Sequence, residues 1–199
     1  MANDCLTHFV IECENKEKLE RIHDAITKCN KPEYKPSDGS FRNWTGNIFK
    51  ELGLKYESDR SFWADSEFDD GALHIFEDAA WTRGSAMRQL VEQMDGSDDD
   101  DGLSVYFYSE EPGCEIYESN DDCHLHFPDE YILDTCNGQE YYDDFSALLE
   151  DVNKHVGGCY KFNTFEDLQE FLDVFNRERD NDDDWAYVHE IDYSASLYD

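Results

Sequence analysis

Ala72-Leu73-His74-Ile75-Phe76-Glu77-Asp78-Ala79-Ala80 is the stretch on which the fold turns. It alternates as a strand does, with Leu73, Ile75 and Glu77 on one face. Ser85–Met94 follows, where Met87, Leu90, Val91 and Met94 recur at the spacing of an amphipathic helix. Residues 103–109 then read as a strand, Glu110-Glu111-Pro112-Gly113 as a tight turn with Gly113 at positive φ, and residues 114–118 as the return strand. Upstream, residues 6–13 are rich in β-branched and aromatic types and read as a strand. Asn15 caps a helix to about Cys29, with Leu19, Ile22, Ile26 and Cys29 on one face. Residues 30–42 hold two prolines and few apolar residues and form a loop. Residues 43–54 make a short helix carrying Ile48, Phe49 and Leu52. No strand is clear between Lys55 and Phe68.

This order has the ingredients of a split βαβ unit. The expected fold class is α+β: a ferredoxin-like, antiparallel-rich sheet with helices 16–29 and 85–94 on one face. Downstream come a strand at 130–134, amphipathic helices at 144–156 and 165–179, and an alternating strand at 185–193. Thr164 and Asp167 give the second of these helices a capping-box-like start. The expected organisation is a core over 1–135 and an acidic helix–helix–strand extension over 136–199 packed on the same core.

Charge is unevenly spread. Residues 1–60 carry 11 carboxylates against ten Lys and Arg, and residues 61–199 carry 38 against six, so nearly all of the net charge of −33 lies in the later part. The 15% aromatic content argues for a folded, acid-coated globule over a disordered acidic tail. Such a surface repels nucleic acid and anionic lipid and suits a basic protein surface; acidity that serves only solubility explains the composition equally well. No run approaches the ~20 apolar residues of a membrane span. Met1-Ala2-Asn3-Asp4-Cys5 shows neither the basic nor the apolar region of a signal peptide. Seven scattered cysteines, an odd number, then point to reduced thiols in a cytoplasm.

Several segments together carry a resemblance. They are Met1-Ala2-Asn3-Asp4-Cys5 before a strand; Asn43-Trp44-Thr45-Gly46-Asn47 opening a short helix; Ala79-Ala80-Trp81 closing a strand; and the hairpin Glu110-Glu111-Pro112-Gly113 followed by Ile116-Tyr117-Glu118-Ser119-Asn120-Asp121. Over roughly residues 1–135 this arrangement resembles the YubB-type ferredoxin-like family of plasmid, phage and conjugative-element proteins. Two departures stand out: Thr82-Arg83-Gly84 where the family often has proline soon after the tryptophan, and a central Asn-Trp-Gly stretch without a second tryptophan close behind. The resemblance implies the fold and a mobile-element setting, and no established activity.

Motifs for catalysis are sparse. Gly-x-Ser-x-Gly, Walker A and Gly-x-Gly-x-x-Gly are absent. Cys114, Cys123, His124, His126 and Cys136 form the one Cys/His cluster, and His124-Leu125-His126 would put both histidines on one face of a strand. The gaps are unlike the tight pairs of zinc sites, so no metal is expected. The loop starting at Asp95 fails as a calcium hand, because Asp100 and Tyr106 stand where Gly and Glu are needed. No cofactor is expected.

Two functional readings remain. In the first, a non-enzymatic protein presents acidic groups to a basic partner in the manner of a DNA mimic, through Asp98, Asp99, Asp100 and Asp101 and through the hairpin carboxylates Glu110, Glu111, Glu118 and Asp121. Trp81, Tyr106, Tyr108 and Tyr117 would add aromatic faces for an Arg or Lys side chain; ordinary core packing of those aromatics is the plainer alternative. In the second, a pocket beside Trp81 and the hairpin binds a small ligand or is an enzyme site.

Overall fold

The computed structural model of the protein describes residues 4–57, 60–80, 84–95, 102–178 and 184–198. The chain is α+β, with five α-helices and two antiparallel sheets among the described residues, and separates into two units: residues 1–126 with 193–199, and residues 127–192.

The first unit runs β1 (Asp4–Glu12), α1 (Lys16–Asn30), α2 (Thr45–Leu52), β2 (Ser61–Asp69), β3 (Ala72–Ala80), α3 (Ser85–Met94), β4 (Ser104–Glu111) and β5 (Ile116–Ser119), and its strands lie in the order β2-β3-β1-β4-β5. Hydrophobic alternation sets the register: Phe9 sits between Ile75 and Phe107, and Ile11 between Leu73 and Val105. These residues share one buried cluster with Leu19, Ile22 and Ile26 of α1, Ile48 and Phe49 of α2, and Met87 and Leu90 of α3. All three helices therefore cover the same face of the sheet. Fully burying a side chain such as Phe9, Phe49 or Phe107 is worth about 1.5–3 kcal/mol each, so this face is the main source of cohesion. Asn15 caps α1 as expected, its side chain accepting from the Glu17 amide.

One strand missing from the sequence reading is β2. Its register shifts between Trp63 and Asp65, so that Trp63 and Ser66 are both buried three positions apart. A bulge of this kind breaks the period of two that identifies a strand. The hairpin after β4 also differs from expectation. Pro112–Cys114 forms a single 3₁₀ turn, and Glu115, at φ 55°, takes the left-handed conformation assigned above to Gly113; the return strand begins only at Ile116. Nor are residues 124–126 a strand: His124 is left-handed at φ 52°, so His124 and His126 do not alternate along a common face.

The second unit comprises β6 (Tyr131–Thr135), β7 (Gly138–Tyr142), α4 (Phe145–Val156), α5 (Phe165–Glu178) and β8 (Ala186–Glu190), with sheet order β7-β6-β8. Thr164 accepts from the Asp167 amide at the start of α5, as its sequence suggests. Leu133, Leu148, Val152, Leu168, Leu172 and Val188 form a core of its own. Asn176 ties α5 to β8, donating to and accepting from the Ala186 backbone. The division falls after His126 rather than at 135, because residues 131–135 pair with β7 and β8. Residues 193–199, placed above in the extension, belong to the first unit, where Ala195 and Leu197 pack against its core.

Candidate functional site

The helix-free face of the first sheet carries the features of a site. Pairing aligns Phe62, Asp78, Leu6, Glu110 and Tyr117 in one row across all five strands. In the next row His8 lies between Phe76 and Tyr108, and in the third Val10 lies between His74 and Tyr106. The face thus carries aromatic rings, two histidines and the carboxylates Asp78 and Glu110. His8 stacks on Phe76 with ring centroids 4.5 Å apart, and its Nε2 lies 2.9 Å from Nδ1 of His74. Burial, and then the charges of His74 and His126, push His8 down to about 4.

At the β2 end this face opens into a cavity of about 560 Å³ lined by Asp4, Ser40, Phe41, Trp44, Arg60, Phe62, Asp78 and Ala80. The volume is that of a small-ligand pocket. The loop before α2 builds one wall. Trp44 forms a β-bridge to Phe62, and its ring lies so close over Gly46 that a Cβ there would stand 2.5 Å from it. Gly46 is thus required by the approach of the indole. Phe41 meets Phe62 edge to face at 6.5 Å, and Tyr56 meets Trp44 edge-on at 5.5 Å. Lys50, held by Asp38, stands 5.5 Å from the Trp44 ring. On the strand wall, burial and then the neighbouring Asp4 charge raise the Asp78 carboxyl above its ordinary value.

On the helix side, at the same end of the sheet, lies a buried polar group. Glu77 accepts from the Ser61 hydroxyl, from Trp63 Nε1 at 3.0 Å and from the Gly84 amide at 3.2 Å. Thr7, Ser109 and Cys5 lie within hydrogen-bonding distance of one another across β1 and β4. Burial, the largest influence, raises the Cys5 thiol.

The residues singled out in the sequence are dispersed among these places. Tyr106, Tyr108, Glu110 and Tyr117 share the helix-free face, where Tyr108 donates to Glu110 and the Tyr106 ring contacts His126 at 4.7 Å. Glu111 and Glu118 belong by register to the opposite face, and Glu111 is buried, accepting from the Cys114 thiol. Asp121 is also buried and accepts from the His126 amide, so it organises the turn after β5. Trp81 and Asp98, Asp99, Asp100 and Asp101 lie outside the described residues. His124 lies against Tyr193 and His126 against Tyr106, both with tilted rings, and no three His, Cys, Asp or Glu side chains gather as a metal site among the described residues. None of the seven cysteines is in a disulfide, and no helix among the described residues is long and apolar enough to cross a membrane.

The sequence reading missed the pocket itself. Its signal was Phe41, a large aromatic in an otherwise polar loop, three residues before the Trp44-Thr45-Gly46 step. No family model, curated protein or solved structure matches the chain.

Proposed function

We propose that this chain is a non-enzymatic acidic interaction protein, acting in the cytoplasm, that binds a basic surface of another protein by presenting carboxylates where a nucleic acid presents phosphates. The observation that carries this reading is the imbalance of 49 Asp and Glu against 16 Lys and Arg. The molecule's own cations cannot neutralise it. Lys28 already pairs with Glu51, Lys50 with Asp38, and Lys154 with both Glu150 and Asp151. Sixteen cations cannot neutralise 49 carboxylates however they pair, and a basic surface would replace the counterions of the excess and gain from steering.

A ferredoxin-like core is part of the same proposal. The order β2-β3-β1-β4, with α1 and α2 in one crossover and α3 in the other, supports it, with β5 as an added edge strand. The YubB-type resemblance supports a plasmid, phage or conjugative-element setting.

The test is affinity capture from a host lysate at low and high salt, with duplex DNA as competitor. A basic protein that binds at low salt, is released as salt shortens screening to about 8 Å, and is displaced by DNA is the expected result. Capture of no basic protein, or of one indifferent to DNA, refutes the reading.

A further inference from the structure

We infer that the cavity between Phe41, Trp44 and Phe62 receives a single lysine or arginine side chain of the basic partner, its cation held by Asp4 and Asp78 and its stem against the three rings. This rests on the function proposed above and assigns its anchoring point.

Three features converge on a cation with an apolar stem. The first is lining: two phenyl rings in edge-to-face contact and an indole border the cavity, and aromatic faces attract organic cations. The second is charge. Among the described residues, two carboxylates reach the cavity against one cation, the exposed Arg60. Asp78, although exposed, stands beside the Asp4 charge, and an entering ammonium or guanidinium relieves that repulsion. The third is a precedent in the same wall, where Lys50 already holds its ammonium near the Trp44 ring. Phe41 is 76% exposed although it lines the cavity, so it loses unfavourable contact with water when a stem lies against it. An anionic ligand meets Asp4 and Asp78, and a purely apolar one leaves both carboxylates desolvated without a partner.

The experiment is titration of the full chain with N-acetyl-arginine methylamide, N-acetyl-lysine methylamide and the neutral N-acetyl-norleucine methylamide, followed through the tryptophan indole N–H resonances. The expected result is that at least one cationic probe binds ten-fold or more tighter than the norleucine probe and shifts the Trp44 resonance. Asp78→Asn and, separately, Phe41→Ala should each weaken that binding several-fold. Phe41 is exposed, so its replacement leaves the thermal midpoint unchanged and separates loss of binding from loss of fold. Equal binding of the norleucine probe, no shift at Trp44, or tighter binding of free cadaverine than of either amino-acid probe overturns the inference. Repeating the lysate capture with both variants tells the two claims apart. If they retain the DNA-displaceable partner at wild-type strength, the anchoring inference fails and the function proposal stands. If the wild-type chain captures no basic protein, the function proposal fails and the anchoring inference fails with it.

Discussion

Removing the carboxylate of Glu77 tests whether the buried polar group holds the sheet to the start of α3. Glu77 is 3% exposed and Trp63, which donates to it, is fully buried. In Glu77→Leu the Ser61 hydroxyl turns to Thr45 Oγ1, 3.1 Å away. The Trp63 and Gly84 N–H groups lose their acceptor. A buried donor left without a partner costs about 1–3 kcal/mol, so two cost about 2–6. Relief from burying a charge brings the expected loss to the lower half of that range, about 2–4 kcal/mol. Glu77→Gln keeps an acceptor for one donor and turns an NH₂ toward the other, an expected loss of about 1–3 kcal/mol. The assay is urea unfolding of both variants, with Trp63→Phe and the Trp63→Phe/Glu77→Gln double variant closing a cycle whose coupling should be about 1–2 kcal/mol. If Glu77→Gln unfolds at the wild-type midpoint, or the cycle shows no coupling, the carboxylate does not hold these donors and the reasoning fails.

Three further outcomes follow from other parts of the molecule. In brief alkylation of the native chain, Cys136 and Cys159 should be modified fastest, while Cys5 and Cys29, buried and with raised thiol values, should react only on unfolding. Exposed Cys123 should lag Cys159, because Asp122 beside it disfavours the thiolate; site-resolved mass spectrometry reads the order. His8 is depressed to about 4 in the folded chain, so between about pH 6.5 and 4 the unfolded chain binds the additional proton. His8 therefore destabilises the fold as pH drops through that window, by at most about 1.4 kcal/mol per pH unit, and His8→Phe should flatten the pH dependence of the unfolding midpoint there. With a net charge of −33, the thermal midpoint should rise as sodium chloride is raised from about 10 to 200 mM, because screening relieves self-repulsion; a fall would contradict this.

How much was legible in the sequence depends on whether one period governed a segment. β1, β3, α1 and α3 each follow a single period with few interruptions, so their apolar faces, and even the inward placement of Glu77, could be read directly. β2 could not, since its bulge changes phase after Trp63 and its outer positions are acidic. β7, Gly-Gln-Glu-Tyr-Tyr, buries only Tyr142 and gives no alternation to find. The pocket was illegible for a different reason. It joins the beginning of β1, the loop before α2 and the edges of β2 and β3, and only the strand pairing brings these stretches together. Likewise alternation within one strand puts Tyr106 and Tyr108 on one face, whereas Glu110, read as turn, continues β4, and Glu118 falls on the other face because the position of the turn sets its register.

The chain leaves the first unit at His126 and rejoins it at Tyr193, and the ring of His124 rests 4.2 Å from that of Tyr193. Exit and return are thus fastened side by side on one host. A segment inserted this way can be exchanged, enlarged or excised with little demand on the host's backbone, since a short bridge across the clasp replaces 66 residues of excursion. Residues 127–192 are in this sense a cassette spliced into the chain of the first unit.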